Sequence, residues 1–334
     1  MMNRIVIIFI ISQIITCSAW YNEGHMIVSE IAYSLSNAQT KQSIDNYLTL
    51  DSNEYQGYTN HFTASVWADD VKKTQYNETK KWHFIHLPYI PSGIDVSVNP
   101  YDEVNIIQQV QALYDEFLKT QDESIRARDL RFLIHLLGDL HHPLHVSSLY
   151  SDEFPKGDDN GGLYKIYYPS LSNETCLHSF VDSIANQYNQ FYPLPTNNSY
   201  ETIIEEEAKQ ILDTCTLDYS QYRFNPTIWA NETHSLANLF YIIPPHTIPT
   251  LEASKNITIL SRHQLCLSGR RLAFLFEELL NRSIPSDFYF IILLALGVLS
   301  SIILDEYINR KQFNHKNTQT NQISGIKNVS FVPL

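Results

Sequence analysis

The chain has 334 residues, of which 44% are hydrophobic and 18% are charged, and its formal net charge at pH 7 is −13. This hydrophobic content is enough for a sizeable core and excludes an intrinsically disordered chain. The acidic balance excludes a nucleic-acid binder that depends on a lysine- and arginine-rich surface, because such binding draws its affinity from counterion release. Tyrosine (21) and phenylalanine (16) are abundant while glycine (10) is scarce, which favours a helical body over a many-stranded sandwich.

The first 19 residues are typical of a secretion signal. A short start, MMNR, is followed by the apolar run IVIIFIISQII, and Ala19 is a small residue at the expected cleavage edge. We therefore expect a signal peptide over residues 1–19; an uncleaved anchor is the alternative, although the run is short for a spanning helix. Cleavage would make Trp20 the first residue, and its free amino group and carbonyl could then chelate a metal, with His25 as a third ligand.

Histidine and aspartate recur in short segments along the first third of the chain. His25 lies at the start of a predicted helix in WYNEGHMIVSEIAYSL, and Asp69 follows an aromatic residue in VWADDVKK. In KWHFIHLPY, His83 and His86 lie on a short stretch that is predicted to be extended up to Pro88.

The stretch HLLGDLHHPLH contains four histidines and one aspartate in eleven residues. Helical periodicity assigns the leucines to an apolar face and leaves His135 and Asp139, four residues apart, on another face. A proline then ends the helix, so that His145 returns from a loop toward the same cavity. The spacing recurs in LHSFVD at His178 and Asp182. Converging imidazoles and carboxylates are typical zinc ligands, although a single such pair is more often a hydrogen-bonded pair on a helix surface.

The periodicity of the remaining chain is helical nearly throughout. Apolar stripes run over residues 104–117, 203–212 and 272–279, and GGLYKIYY from Gly161 is typical of a short hairpin or loop. The sequence has no internal repeat. We therefore expect one all-α, mostly helical domain over residues 20–285.

The segment FYFIILLALGVLSSIIL, which begins at Phe288, has seventeen residues and no charge. It meets the lower limit of about 17 residues for crossing a bilayer. The polar tail behind it is basic, as the positive-inside rule requires of a cytoplasmic tail. We predict a transmembrane helix over residues 286–304 and a cytoplasmic tail over 305–334, which together make a type I single-pass membrane protein. A buried C-terminal helix of the globular domain is the alternative.

Six Asn-x-Ser/Thr sequences precede that segment and are usable for N-glycosylation in a secretory lumen. They lie at Asn77, Asn173, Asn197, Asn231, Asn256 and Asn281. The mature chain would keep three cysteines, Cys176, Cys215 and Cys266. An odd number predicts one disulfide and one remaining thiol, with all three pairings open.

Taken in order, these segments resemble the class I zinc-dependent single-strand nucleases and 3'-nucleotidases. The resemblance runs from Trp20 to about Asn281 and is carried by W(x)4H, WAD, HF, HLLGDLHHPLH, the paired glycines, LHSFVD, WANET and GRRLAFLFEELLN. It implies a mostly helical fold shared with zinc phospholipase C, which holds three zinc ions at the base of a cleft.

The resemblance also implies a ligand set for each zinc ion. One ion would be bound by Asp69, His83, His135 and Asp139; its close neighbour by Trp20 and His25, with Asp139 as a bridge; and the third by His145, His178 and Asp182. His141 and His142 are assigned to packing or to the rim, with a direct role for His142 as the alternative.

The implied chemistry is hydrolysis of a phosphoester. Two close zinc ions can share a water and lower its pKa to about 7, while the third holds phosphate oxygens. By resemblance, Asp69 orients that water, Lys72 neutralises charge in the transition state, Phe84 stacks on a base, and His86 stands where the family contacts the base edge. As bare sequence features, Lys72 fits a solvated helix face equally well and Phe84 fits a core position. We expect cleavage of single-stranded DNA and RNA to 5'-phosphate products, with 3'-nucleotidase activity as a further option.

Two other functions fit the same pattern. A zinc phosphodiesterase of the phospholipase C type shares the metal ligands, and a membrane anchor would bring it to lipid. A non-catalytic, glycosylated ectodomain with structural zinc is the other, but nine ligands for three ions leave coordination positions open, which favours catalysis. The expected location is the secretory pathway, with the domain at the cell surface or facing a lysosomal or vacuolar lumen. No obligate protein partner is expected.

Overall fold

The computed structural model describes residues 20–51, 53–91, 93–95, 104–168, 175–188, 194–215 and 223–281. These residues form ten α-helices, one 3-10 helix and four short strands within one compact unit that ends at Asn281. The helices are α1 (Asn22–Leu35), α2 (Ala38–Thr49), α3 (His61–Val71), α4 (Ile106–Lys119), α5 (Glu123–Leu140), α6 (Leu177–Asp182), α7 (Asn198–Thr214), α8 (Pro226–His234), α9 (Ala237–Phe240) and α10 (Leu251–Leu280). The 3-10 helix covers Asn77–His83, and the strands are β1 (Leu87–Tyr89), β2 (Ser147–Leu149), β3 (Lys165–Ile166) and β4 (Thr175–Cys176).

Helix α5 lies at the centre of the fold. Asp122 caps its start by accepting backbone N–H groups, and every residue over 129–140 is buried. The helix packs against α1, α3, α4 and α10. Because neighbours surround it, the polar side chains of His135 and Asp139 are held inside the protein rather than at its surface.

Helix α1 brings His25 into the same interior. It packs most extensively against α10, where a glycine permits close approach: a Cβ added at Gly269 would lie 2.4 Å from Cγ2 of Ile31. The helix begins at Asn22, so His25 falls in its first turn and is buried. The prediction that His25 lies at the start of a helix is confirmed.

Two short strand pairs join segments that are distant in sequence. Strand β1 pairs with β2 in parallel, with Leu87 opposite Ser147, and β3 pairs with β4 antiparallel, with Lys165 opposite Cys176. Each pair is followed or preceded closely by predicted ligands. The pairing therefore fixes the segments around His83 and His145 relative to each other.

The predicted mostly helical fold class is confirmed. Two local predictions, for the segment from Gly161 and for KWHFIHLPY, have different outcomes. The segment from Gly161 contains the short strand β3, in line with a hairpin or loop. The extended stretch predicted for KWHFIHLPY is wrong at its start, because His83 ends a 3-10 helix. Extended structure begins only after it, where the N–H of Ile85 donates to the carbonyl of His145 at 2.8 Å.

One disulfide joins Cys215, at the end of α7, to Cys266 on α10, and Cys176 remains a buried thiol. This confirms the prediction of one disulfide and one thiol. Over the part of the chain that the structure describes, no helix is both long and apolar enough to cross a membrane. The predicted signal peptide (1–19), transmembrane helix (286–304) and cytoplasmic tail (305–334) lie outside the described residues.

The predicted glycosylation sites differ in exposure. Asn77, Asn197, Asn231 and Asn256 are exposed. Asn281 is half-buried, and its amide nitrogen donates to Oγ1 of Thr40 at 2.7 Å and to the Glu277 carboxylate. Asn173 lies outside the described residues. Glycosylation stays a prediction, for which Asn77, Asn197, Asn231 and Asn256 are accessible to solvent.

Candidate metal centre

Three elements bring one group of predicted ligands together. Asp69 lies on α3, His83 ends the 3-10 helix, and His135 and Asp139 lie one turn apart on α5. Nε2 of His135 is 3.3 Å from Oδ1 of Asp69 and 3.2 Å from Oδ2 of Asp139. Nδ1 of His83 is 2.8 Å from the same Asp139 oxygen. With His25, these buried residues form what we call the paired cluster.

Asp139 has the geometry of a bridge within the paired cluster. Its Oδ1 lies 3.3 Å from Nε2 of His25, whereas its Oδ2 faces His83 and His135. The His25 ring stacks on the His135 ring with centroids 4.0 Å apart. Trp20 lies next to this group, fully buried, and its indole N–H donates to the carbonyl of Gly138 at 3.1 Å.

The remaining predicted ligands meet in a second group, the single cluster of His145, His178 and Asp182. Nε2 of His145 lies 3.1 Å from Nε2 of His178. Nε2 of His178 lies 3.5 Å from Oδ1 of Asp182 on the same helix, α6. All three residues are buried. The structure thus brings every predicted metal-binding side chain into one of two neighbouring clusters, because Asp139 of the first also lies 4.0 Å from the His145 ring.

Backbone carbonyls fix the orientation of three of the imidazoles. Nδ1 of His135 donates to the carbonyl of Ser65, that of His145 to the carbonyl of His83, and that of His178 to the carbonyl of Gly161, each at 2.7 Å. A neutral imidazole has a single N–H, so these bonds leave the Nε2 atoms of His145 and His178 as bare acceptors, and that of His135 whenever its ring is neutral. Metal-bound histidines are held in this way by their outer nitrogen.

The donor atoms fit a bound cation and fit badly without one. The facing Nε2 atoms of His145 and His178 are both acceptors, and two lone pairs at 3.1 Å repel unless a cation lies between them. Within the described residues, both nitrogens of His25, Oδ1 of Asp139 and both oxygens of Asp182 are buried with no hydrogen-bond partner. Buried polar atoms without partners cost free energy. Metal coordination would satisfy all of them.

The charges of the paired cluster favour a positive species at its centre. Although burial favours the neutral ring, the carboxylates of Asp139 and Asp69 raise the pKa of His135 to about 10. Burial opposes ionisation of both carboxyl groups, but Lys72 and His135 hold the pKa of Asp69 well below its usual value, and His135 does the same for Asp139. A proton on His135 therefore occupies the cluster where a metal ion would otherwise balance the carboxylates, and metal binding would release it.

The other ligand imidazoles are kept neutral. Burial lowers the pKa of His83 and of His145 to about 3 and that of His178 to about 4. Burial also raises the pKa of Asp182 well above its usual value. Neutral imidazole is the form that binds a metal, so three rings are ready for coordination at neutral pH.

A cavity of about 530 Å3 opens onto the clusters. Its lining includes His83, His145 and His178, and three lysines, Lys72, Lys73 and Lys80. The ammonium group of Lys72 forms a half-buried ion pair with the carboxylate of Asp69. A phosphate that enters the cavity would therefore meet both the candidate ligands and these lysines.

The two predicted base-binding residues lie on the same wall. Phe84 and His86 line the cavity and are both half-buried. Their rings stack with centroids 4.8 Å apart and an interplanar angle of 14°. Each ring therefore covers one face of the other, and this aromatic pair lies beside the candidate metal ligands rather than in the closed core.

The two histidines assigned to packing or the rim have different surroundings. His141 makes structural contacts, because its Nδ1 donates to the carbonyl of Leu137 and its Nε2 accepts from Arg271. His142 instead lies in the single cluster, with its Nε2 3.0 Å from Oδ1 of Asp182. In the sequence, His142 directly precedes the proline turn that carries His145, and this position indicates that it lies near the same group of ligands.

Asp159 is a further residue of the site, and no local pattern in the sequence marks it. Its buried carboxylate accepts the N–H of Leu149 at 2.8 Å, the N–H of Gly162 at 2.7 Å and the hydroxyl of Tyr241 at 2.9 Å. These bonds hold the glycine turn whose carbonyl orients His178. Gly161 is required there, since its φ is +74° and a Cβ would lie 2.3 Å from the carbonyl oxygen of Leu144.

Comparison with known proteins gives a family match that runs from Trp20 to Asn281. The S1/P1 Nuclease family matches residues 20–281. Nuclease S1 of Aspergillus oryzae is 31% identical over 134 residues, which are 39% of this chain and 45% of that protein. Endonuclease 3 of Arabidopsis thaliana is 24% identical over 188 residues, 54% of this chain and 59% of the relative. Endonuclease 4 of the same plant is 22% identical over 253 residues, 69% of this chain and 78% of the relative. The first two alignments thus span about half the length of those relatives.

Proposed function

The chain belongs to the S1/P1 nuclease family, and from this premise we propose that it is a zinc-dependent phosphoesterase that cleaves single-stranded DNA and RNA to 5'-phosphate products. Removal of 3'-phosphate from nucleotides is a second reaction of the same site. The observation that carries the proposal is the pair of bare Nε2 atoms of His145 and His178, 3.1 Å apart beside the cavity.

Three zinc ions are proposed. Asp69, His83, His135 and Asp139 would hold the first; His25, Asp139 and the amino group and carbonyl of Trp20 the second; and His145, His178 and Asp182 the third. Imidazole and carboxylate donors without thiolate suit zinc. The second ion needs cleavage after Ala19, which would convert the amide nitrogen of Trp20 into an amine.

Bound zinc would supply a water of lowered pKa and a positive field for the phosphate. The protein's own groups have separate tasks. Asp69 would orient the attacking water by accepting a hydrogen bond from it. Lys72, held at the cavity by its ion pair with Asp69, would donate to a phosphate oxygen that gains charge in the transition state.

The preference for single strands is attributed to the aromatic pair of Phe84 and His86, which lines the cavity. Stacking of one base on an aromatic side chain is worth roughly 1 to 3 kcal/mol, and it requires a base whose face is exposed. A base in a duplex is covered on both faces. His86 would also offer an imidazole nitrogen to the edge of the bound base, where it would influence base preference.

We propose that the domain over residues 20–285 faces the outside of the cell or a lysosomal or vacuolar lumen. The predicted signal and anchor, together with four exposed glycosylation sequences, support this location. A type I single-pass anchor at 286–304 would hold the enzyme at the membrane. The predicted partners of the protein are then nucleic acid, as its substrate, and the membrane that holds its anchor.

The test is a parallel assay of the full chain purified from a secretory host. We expect about three zinc ions per chain, cleavage of single-stranded DNA and RNA with 5'-phosphate ends, and loss of activity in chelator that added zinc restores. Phe84→Leu should keep its zinc and lower kcat/KM on single strands by about 5- to 160-fold, the equivalent of losing roughly 1 to 3 kcal/mol of stacking. Release of head groups from phosphatidylcholine without nucleic-acid cleavage would replace the proposal with a phospholipase. Zinc binding without any phosphoester hydrolysis would leave a structural ectodomain.

A further inference from the structure

His142 lies beside the residues of the single cluster, and its contacts indicate a role beyond packing. The ring is fully buried, and one nitrogen each from His142, His145 and His178 lie within 4.8 Å of one another. On its other side the ring contacts the indole of Trp20, with centroids 4.3 Å apart. His142 therefore stands between the predicted first residue of the mature chain and the candidate ligands of the third zinc.

The hydrogen bonds of His142 are opposite to those of its neighbours. His145 and His178 donate from Nδ1 and present a bare Nε2 to the cluster. In His142, Nδ1 accepts the backbone N–H of Leu144 at 3.2 Å. A neutral ring that accepts at Nδ1 carries its hydrogen on Nε2. An Nε2 that carries a hydrogen has no lone pair for a metal, so His142 enters the cluster as a donor.

The acceptor within reach is Asp182. Its Oδ1 lies 3.0 Å from Nε2 of His142, a hydrogen-bonding distance, although in this structure the N–H is not aimed at the oxygen. Among the described residues, neither oxygen of Asp182 has a hydrogen-bond partner, and neither has Nε2 of His142. The Asp182 backbone is fixed, because its carbonyl accepts the N–H of Tyr21 at 3.1 Å. Only the carboxylate orientation is left to be set.

We propose that His142 is a positioning residue for the third zinc site, which donates its Nε2–H to Asp182 and so turns that carboxylate toward His145 and His178. The inference rests on the proposed zinc function. Outer partners of metal ligands commonly change metal affinity by about 10- to 100-fold when they are removed. The expected effect is therefore on retention of one zinc ion rather than on all three.

The experiment compares His142→Leu with His142→Gln in the full chain. Leucine fills a similar volume without a donor, whereas the glutamine amide places an N–H near the position of Nε2. Zinc content is followed as a competing chelator is titrated. We expect His142→Leu to lose one zinc ion at about 10- to 100-fold lower chelator than wild type, and His142→Gln to stay within about 3-fold of wild type. His61→Leu is the control, because His61 also pairs with a carboxylate, Glu30, but lies outside both clusters.

Each contrary result has a definite meaning. Equal zinc retention in His142→Leu and wild type would overturn the inference, and so would a loss in His142→Gln as large as that in His142→Leu, which would make the ring itself a ligand. Thermal unfolding of the zinc-free chains separates positioning from folding: a midpoint lowered as much without zinc as with it would also overturn the inference. A wild-type chain that binds no zinc would instead refute the proposed function.

Discussion

Gly138→Ala tests whether the paired cluster depends on close contact between α5 and His25. A Cβ added at Gly138 would lie 2.7 Å from Nδ1 and 3.0 Å from Cε1 of His25, whereas ordinary contact begins at 3.4 Å. The ring would have to move by about 0.7 Å, the difference between 3.4 and 2.7 Å. It cannot simply turn aside, because it stacks on His135 at 4.0 Å. Metal ligands must be held to about 0.5 Å, so this shift would exceed the tolerance of the proposed second zinc site.

The unfolding midpoint and the activity of Gly138→Ala together distinguish damage to the metal site from damage to the fold. In a helix interior, alanine is favoured over glycine by about 1 kcal/mol, which offsets part of the strain that the new methyl group introduces. The midpoint of thermal unfolding of the zinc-free chain should therefore change little. Activity on single-stranded DNA should fall by about 100-fold, the usual consequence of displacing a site group by about 1 Å, and one zinc ion should be lost.

Gly269→Ala is the matched control. Its Cβ would lie 2.4 Å from Cγ2 of Ile31 and 3.0 Å from the carbonyl oxygen of Val28, which is a clash between α10 and α1 away from the ligands. This variant should unfold at a lower temperature but keep the zinc content and specific activity of its folded fraction. Wild-type zinc content and wild-type rate in Gly138→Ala would refute the placement of His25.

Three further predictions follow from the same geometry. Asp139→Asn should lose two zinc ions and Asp182→Asn one, as measured by metal analysis; equal losses would exclude a bridging role for Asp139. Adding one residue before Trp20 of the mature chain should remove the amino group from the second zinc site and cut the hydrolysis rate by about 100-fold, and an extended chain of full activity would exclude the chelate. Burial lowers the pKa of His145 to about 3 and that of His178 to about 4, below the ordinary value of 6.5. Because the pKa of each ring is lower in the folded state than in the unfolded state, the contribution of these rings to stability is complete above pH 6.5. It is lost as the pH falls toward about 4. Zinc content and the unfolding midpoint should fall together over that range, and values that stay constant down to pH 4 would contradict this.

The parts of the site that could be predicted from the sequence are those set by local periodicity. In a helix, residues four apart lie on the same face whatever surrounds them. The pairs His135 with Asp139 and His178 with Asp182 were therefore visible in the sequence, and so was the helical class of the body. Which pairs converge is decided by packing between distant segments, and here the resemblance to a family supplied what periodicity could not.

The segment of His83 and the ring of His142 show where local rules end. Extended structure after His83 depends on hydrogen bonds from Ile85 and Leu87 to residues 145 and 146, which the local pattern does not encode. Helix α5 ends at Leu140, so the spacing rule that places His135 no longer applies two residues later at His142. Its ring is oriented instead by the turn, through the N–H of Leu144.

The net charge of −13 is compatible with a polyanionic substrate because the relevant charge is local. At physiological ionic strength the Debye length is about 8 Å, so exposed acidic residues farther away are largely screened. Within the cavity, Lys72, Lys73 and Lys80 line the wall, and three zinc ions would bring six positive charges against the carboxylates of Asp69, Asp139 and Asp182. Removing the zinc would leave the carboxylates of Asp69 and Asp139 in the paired cluster against the single extra proton on His135, so that the excess positive charge at the clusters would be lost. Under the proposed function, substrate binding and hydrolysis would therefore depend on the same ions.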